Sequence, residues 1–296
     1  MTRSTKPTDQ IHRFLFEQND LRGEIVTLES SFQQAVAHQN LSSGLKQLLG
    51  DFLAAVSLLS ESMKFEGILT LQARGDGDIP LIMAEATHQG EIRGIIKTKP
   101  SCKYAADKPS LQQSLGNAVL SLTIDPSRGE RYQGIVPLNE EQLADCISHY
   151  FQQSEQLPSQ LWLHSSEEAC GGIMLQSLPM QKETDLAQAR DTWHTLAQLT
   201  QTLSAEELFT LDHETLLYRL YHEYACRVYP AKPLHHACRC SRQRSENAIV
   251  SLGKEDALDL VRQQGKVSID CQFCGQHYHF DSTQVKHLFE EHSKLH

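Results

Sequence analysis

The chain has 296 residues, is 40% apolar and carries a formal net charge of −10. That length suits about two domains with a sizeable core, and the acidic balance argues against a surface built to grip phosphates. No apolar run reaches the ~20 residues of a membrane helix, and the polar stretch Met1–Gln10 lacks the apolar segment of a secretory signal.

In chain order, Ile11–Gln18 mixes apolar and polar residues and breaks at Asn19-Asp20, and Leu21–Leu28 reads as a strand. Glu29–His38 reads as a short helix. Gly44–Met63 has the clearest helical period of this half: Leu45, Leu48, Leu49, Phe52, Leu53, Val56, Leu59 and Met63 mark one buried face. The period then drops to two. Phe65–Ala73, Ile79–Ala86 and Glu91–Lys97 are predicted as an antiparallel meander, with Gly75-Asp76-Gly77 and His88-Gln89-Gly90 as turns. Asn117–Ile124 and Arg131–Leu138 read as a hairpin. Asn139 is placed as the cap of a helix running to about Ser154, with Glu140 and Glu141 in its first turn. Gln160–His164 and Gly172–Leu178 complete an α+β domain of mostly antiparallel strands with packed helices.

From about Lys182 the strands stop. Thr184–Leu203 has helical spacing, and Ser204-Ala205-Glu206-Glu207 has that of a capping box. Asp212 is positioned to cap a helix carrying Leu216, Leu217, Leu220, Tyr221 and Tyr224. Pro230 and Pro233 bracket the exit. In the final segment Glu255–Gln264 reads as a helix, and Lys266–Ile269 as a strand leading into Cys271. The predicted division is 1–181, an α+β core; 182–236, a helical linker; and 237–296, a small zinc-binding domain.

The last segment holds the chemistry. Cys238-Arg239-Cys240 is followed thirty residues later by Cys271-Gln272-Phe273-Cys274. Two close cysteine pairs at this separation are the pattern of a four-thiolate zinc site, although Cys-x-Cys is tighter than the usual spacing. Four sulfurs leave no open position for a catalytic water, so zinc hydrolysis is not expected. Metal-bound thiolates are also what peroxide attacks, so the same cysteines read as a redox switch as well as a structural knot. Arg239, Arg242 and Arg244 are either tuners of those thiolates or a solvated basic loop. His235, His236, His277 and His279 read as packing or solvated side chains rather than ligands. Residues 237–296 hold eight Lys/Arg and eight Asp/Glu, which is no basic patch. Cys102, Cys146, Cys170 and Cys226 fit no spacing pattern and read as free thiols of a reducing compartment. There is no Walker sequence for ATP and no nucleophile elbow. A thiol–disulfide enzyme and a zinc-dependent nucleic-acid regulator are the rival classes.

The chain resembles the bacterial heat-shock protein 33 family, the redox-regulated cytoplasmic holdase chaperones. The resemblance is carried by Cys238-x-Cys240 … Cys271-x-x-Cys274-Gly275-x-x-Tyr278-x-Phe280, His12-Arg13-Phe14-Leu15-Phe16-Glu17, Arg22-Gly23-Glu24, Gly129-Glu130-Arg131-Tyr132-Gln133-Gly134 and Leu217-Tyr218-Arg219-Leu220-Tyr221-His222-Glu223. It implies one zinc ion on Cys238, Cys240, Cys271 and Cys274 in the reduced form. It implies that oxidation makes the disulfides Cys238–Cys240 and Cys271–Cys274, releases the zinc and unfolds the linker. The activated protein is then expected to form a homodimer and to bind unfolding clients in the cytoplasm. No ATP, nucleic acid, membrane or enzymatic turnover is implied.

Overall fold

The computed structural model describes residues 9–100, 102, 108–154, 157–179 and 185–293. The first unit ends at Ala237 and the second begins at Cys238. No helix among the described residues is long and apolar enough to cross a membrane.

The first unit opens with strands β1 (Gln10–Phe16) and β2 (Leu21–Leu28), then helices α1 (Ser30–Val36) and α2 (Ser43–Ser62). The meander follows as β3 (Gly67–Gly75), β4 (Leu81–Thr87) and β5 (Glu91–Lys97), antiparallel as the period of two predicts. A short helix α3 (Leu111–Leu115) precedes the hairpin β6 (Ala118–Pro126) and β7 (Tyr132–Val136). Helix α4 (Leu143–Ser154) leads to β8 (Ser159–Ser165) and β9 (Cys170–Ser177). Then come α5 (Leu186–Gln201), α6 (Ala205–Thr210) and α7 (His213–Tyr221). The expected start of α5 at Thr184 lies outside the described residues. Three short strands close the unit: β10 (Cys226–Val228), β11 (Lys232–Pro233) and β12 (His235–His236).

One sheet runs β10-β1-β2-β9-β8, with β11 also on β1; the other runs β12-β5-β4-β3-β6-β7. Helix α2 packs against strands of both sheets. This corrects the expectation of a single buried face, because sixteen of its twenty residues are buried. The polar ones are tolerated because each finds a partner. Ser57, Ser60 and Ser62 donate to the carbonyls of Leu53, Ser57 and Leu59 at 2.7, 2.9 and 3.0 Å. Asp51 accepts from Lys108 Nζ at 2.8 Å and from Ser165 Oγ at 2.7 Å.

The α4 boundary is a second correction. The helix starts at Leu143, so Glu140 and Glu141 precede it and Asp145 is the acid of its first turn. Local contacts hold the segment outside: the Glu141 carbonyl accepts from Leu111 N at 3.4 Å, and the Glu140 carboxylate meets His149 Nδ1 at 3.1 Å.

The far face of the first sheet carries Phe14, Phe16, Ile25, Ile173 and Leu175. It is covered by Leu196, Leu203, Leu208, Leu216, Leu217 and Tyr221 of the α5–α7 region, which together form a second core. Tyr221 is fully buried, with its ring centroid 5.1 Å from Phe16 and 5.9 Å from Phe14, and it shares a 2.6 Å hydrogen bond with Thr200 Oγ1. The capping box at Ser204 and Glu207 is present, and Asp212 caps α7 through Thr215 N at 2.8 Å. Tyr224 lies beyond the end of α7, not within it.

The second unit holds α8 (Arg242–Leu252), α9 (Lys254–Gln264), the hairpin β13 (Val267–Asp270) and β14 (His277–Phe280), and α10 (Ser282–Ser293). Among the described residues its buried apolar side chains are Ile249, Ala257, Val261, Val267, Phe280 and Val285. Such a core is small for about sixty residues.

Candidate metal centre

Each cysteine pair is placed by local backbone structure. Cys238 and Cys240 end just before Ser241, whose hydroxyl accepts from Arg244 N at 3.2 Å and so begins α8. Cys271 and Cys274 form the turn between β13 and β14. There the Gly275 amide donates to the Cys271 carbonyl at 2.8 Å, and the Cys271 amide to the Gln276 carbonyl at 2.9 Å. Gly275 has φ +70°, a conformation that glycine takes without a Cβ clash, and this curls the loop so that both sulfurs point inward.

The four Sγ atoms all lie within 4.8 Å of one another. Cys238 and Cys271 approach to 3.5 Å, as do Cys240 and Cys274. A tetrahedral ion with metal–sulfur bonds of about 2.3 Å needs sulfurs about 3.8 Å apart. The cluster brackets that spacing and could hold a metal ion. Its all-sulfur donor set suits a soft or borderline cation such as Zn²⁺.

The electrostatics point the same way. Burial pushes Cys238 up, but hydrogen bonds from the Cys240 backbone and from the neighbouring thiols outweigh it and hold it at about 7. Burial raises Cys271 and Cys274. Four thiols in one small space cannot all ionise without a compensating cation, and a bound dication supplies it.

Tyr278 adds a contact that spacing alone did not reveal. Its hydroxyl donates to Cys240 Sγ at 3.2 Å, and that bond holds the phenol up at about 12. Its place four residues after Cys274, on the strand leaving the turn, is the signal that could have found it.

Arg242 and Arg244 have partners other than the sulfurs. Arg242 and Arg244 lie in α8 rather than in a loop. Arg242 pairs with Glu246 at 3.2 Å and stacks 4.4 Å over Phe280, while Arg244 donates to the Arg239 carbonyl at 2.9 Å. His277 bonds Asp270 at 2.6 Å, and His279 meets Ser268 Oγ at 3.1 Å, so both rings have partners other than sulfur. His235 and His236 lie on β12, in the first unit.

Among the described residues no two cysteines are joined in a disulfide. Burial raises the pKa of Cys146, raises that of Cys170 further and pushes Cys226 up to about 11. These three are poor nucleophiles beside Cys238.

Comparison with known proteins agrees with this architecture. The family model described as Hsp33 protein matches residues 9–281. The 33 kDa chaperonin of Pseudomonas fluorescens is 45% identical over 287 residues, spanning 95% of this chain and 94% of the relative. That of Azotobacter vinelandii is 46% identical over 286 residues, spanning 95% and 94%. The crystal structure of the 33 kDa chaperonin of Thermotoga maritima superimposes with a TM-score of 0.82 over 97% of this chain and 99% of that one. At 21% identity, that likeness speaks for the fold. With the family model spanning nearly the whole chain and curated relatives this similar end to end, the chain belongs to the Hsp33 family.

Proposed function

We propose that this chain is a redox-regulated, ATP-independent chaperone whose switch is the four-cysteine cluster. The observation that carries the reading is the gathering of Cys238, Cys240, Cys271 and Cys274 within 4.8 Å, in a unit with a core of six buried apolar residues among those described. Zinc, when bound, would keep the four sulfurs as thiolates and contribute on the order of 10 kcal/mol to folding of that unit.

The chemistry is a two-electron oxidation at each pair. One sulfur attacks the O–O bond of a peroxide and becomes a sulfenic acid, releasing water. The second sulfur attacks the first, an S–S bond forms, and a second water leaves. Each pair thus gives two electrons to one peroxide, and the two protons that complete the waters come from solvent, because metal-bound thiolates carry none. Disulfides Cys238–Cys240 and Cys271–Cys274 leave no thiolates for the ion. Residues 237–296 then lose their fold, and the 182–236 linker lifts from the core 1–181. The apolar sheet face around Phe14 and Phe16 becomes a surface for unfolding clients. The activated form is a homodimer in the cytoplasm, and it holds clients without turnover.

A thiol–disulfide enzyme is the weaker reading, because Cys271 and Cys274 sit in a strand-to-strand turn rather than at a helix N-terminus.

Peptide mapping after peroxide treatment tests the chemistry. The expected result is a mass loss of about 4 Da per chain, from two disulfides, each within one Cys pair. Links of Cys238 to Cys271 and of Cys240 to Cys274, or a bridge to Cys226, would contradict the assigned pairing.

A further inference from the structure

The α5–α7 region is held to the sheet by more than apolar contact. His12 on β1 and His213, the first residue of α7, face each other with Nδ1 to Nδ1 at 2.8 Å. Their rings meet edge-to-face, with centroids 5.0 Å apart. Nε2 of His213 lies 3.1 Å from Thr27 Oγ1 on β2. Both rings are enclosed, at 8% and 1% exposure.

That geometry limits the protons the pair can carry. One ring must donate an N–H and the other must accept with a bare nitrogen. A first extra proton puts a cation in a nearly water-free site. A second sets two N–H groups against each other and breaks the bond. His213 also sits at the N-terminus of α7, where the helix dipole opposes positive charge.

On α7, Glu214 favours protonation of His12, but burial outweighs it and holds His12 below its ordinary value. The Asp212 carboxylate caps α7 through Thr215 N and Oγ1, both at 2.8 Å. On β1 and β2, Arg13 and Glu24 alternate with His12 and Ile25 and so lie on the opposite sheet face. There Arg13 meets Glu61 at 3.3 Å, and Lys232 of β11 meets Glu61 at 2.8 Å.

We propose that the His12–His213 hydrogen bond is an acid-sensitive latch, which keeps α7 docked at neutral pH and lets the α5–α7 region lift from the sheet on acidification, with no cysteine oxidised. The latch rests on the first unit alone. Only its consequence, exposure of a client-binding face, rests on the proposed function.

The sign follows from linkage. Undocked histidines titrate near 6.5, whereas docked His12 is held below that value by burial and the docked pair cannot take up two protons without losing its hydrogen bond. Docking is therefore fully favoured above that value and weakens as pH falls through it. Between pH 7.5 and 5.5 the opening constant rises about tenfold for one histidine and about a hundredfold for two.

The test is hydrogen exchange of residues 213–221 in the reduced, metal-loaded full chain from pH 7.5 to 5.5, corrected for intrinsic exchange. The expected result is a ten- to hundredfold rise in opening, reduced to less than about twofold in the double variant His12→Gln, His213→Gln. A flat profile in the native chain, or an equal rise in the variant, overturns the latch. Should the variant fail to fold, ring titration of the native histidines by NMR decides. Protonation of His12 and His213 that coincides with opening of α7 supports the latch. Ordinary titration near pH 6.5 with α7 still protected overturns it. A client-aggregation assay at pH 5.5 separates the two ideas. Opening without client protection retains the latch and counts against the client-binding face. Activation by peroxide with no acid opening leaves the function and removes the latch.

Discussion

Replacing Cys271 and Cys274 together by serine should abolish metal binding and unfold residues 238–296. Two of four sulfur ligands are lost, and serine oxygens are poor substitutes for thiolates toward a soft or borderline ion. The remaining apolar core of Ile249, Ala257, Val261, Val267, Phe280 and Val285 is too small to keep the unit folded. A loss on the order of 10 kcal/mol exceeds the whole stability of a typical small domain's margin. Metal content should fall from one ion per chain to none, and amides of β13 and β14 should exchange freely. If the linker depends on this unit, protection in residues 186–221 should fall as well. Retained protection in both regions would show that the ion is not what holds the unit together, and protection lost only in the second unit would uncouple it from the linker.

The second large effect is expected at Tyr221. The side chain is fully buried against Phe14 and Phe16, and its hydroxyl reaches Thr200 at 2.6 Å. Tyr221→Ala should cost about 3–5 kcal/mol of docking through the cavity it leaves. That multiplies the opening constant of the α5–α7 region by about 150 to 5,000. The variant should suppress client aggregation while still reduced and metal-loaded. Tyr221→Phe deletes only one hydrogen bond and should cost about 1 kcal/mol, leaving the linker closed. Equal effects from the two substitutions would mean that the hydroxyl, not the ring packing, secures the linker.

The parts of this architecture that local periodicity encodes were legible. Leu21–Leu28 forms the strand read there, the meander follows the two-residue period, and the leucine spacing of α2 marks the central helix. Ser204 with Glu207 and Asp212 with Thr215 announce their caps at three-residue range. The cysteine cluster was legible because each pair is close in sequence and only thiols at that spacing share an ion.

What was missed depends on distant partners. Helix α8 buries only Ser245 and Ile249, so it shows no apolar stripe, and its start is set by Ser241 beside the cluster. The two-residue strands β11 and β12 exist only through pairing with β1 and β5. The full burial of α2 could not be read from one helix face, because it takes two sheets to enclose the serines. His12 and His213 are separated by 201 positions, and nothing local marks them as partners.

Light scattering of a client protein unfolding by heat is the most direct measurement of the central claim. The chain would be added before and after peroxide treatment, with released zinc followed in the same samples. Suppression of aggregation should appear only as zinc leaves the four cysteines. Equal protection by the reduced, zinc-loaded chain would contradict the claim that Cys238, Cys240, Cys271 and Cys274 are the switch.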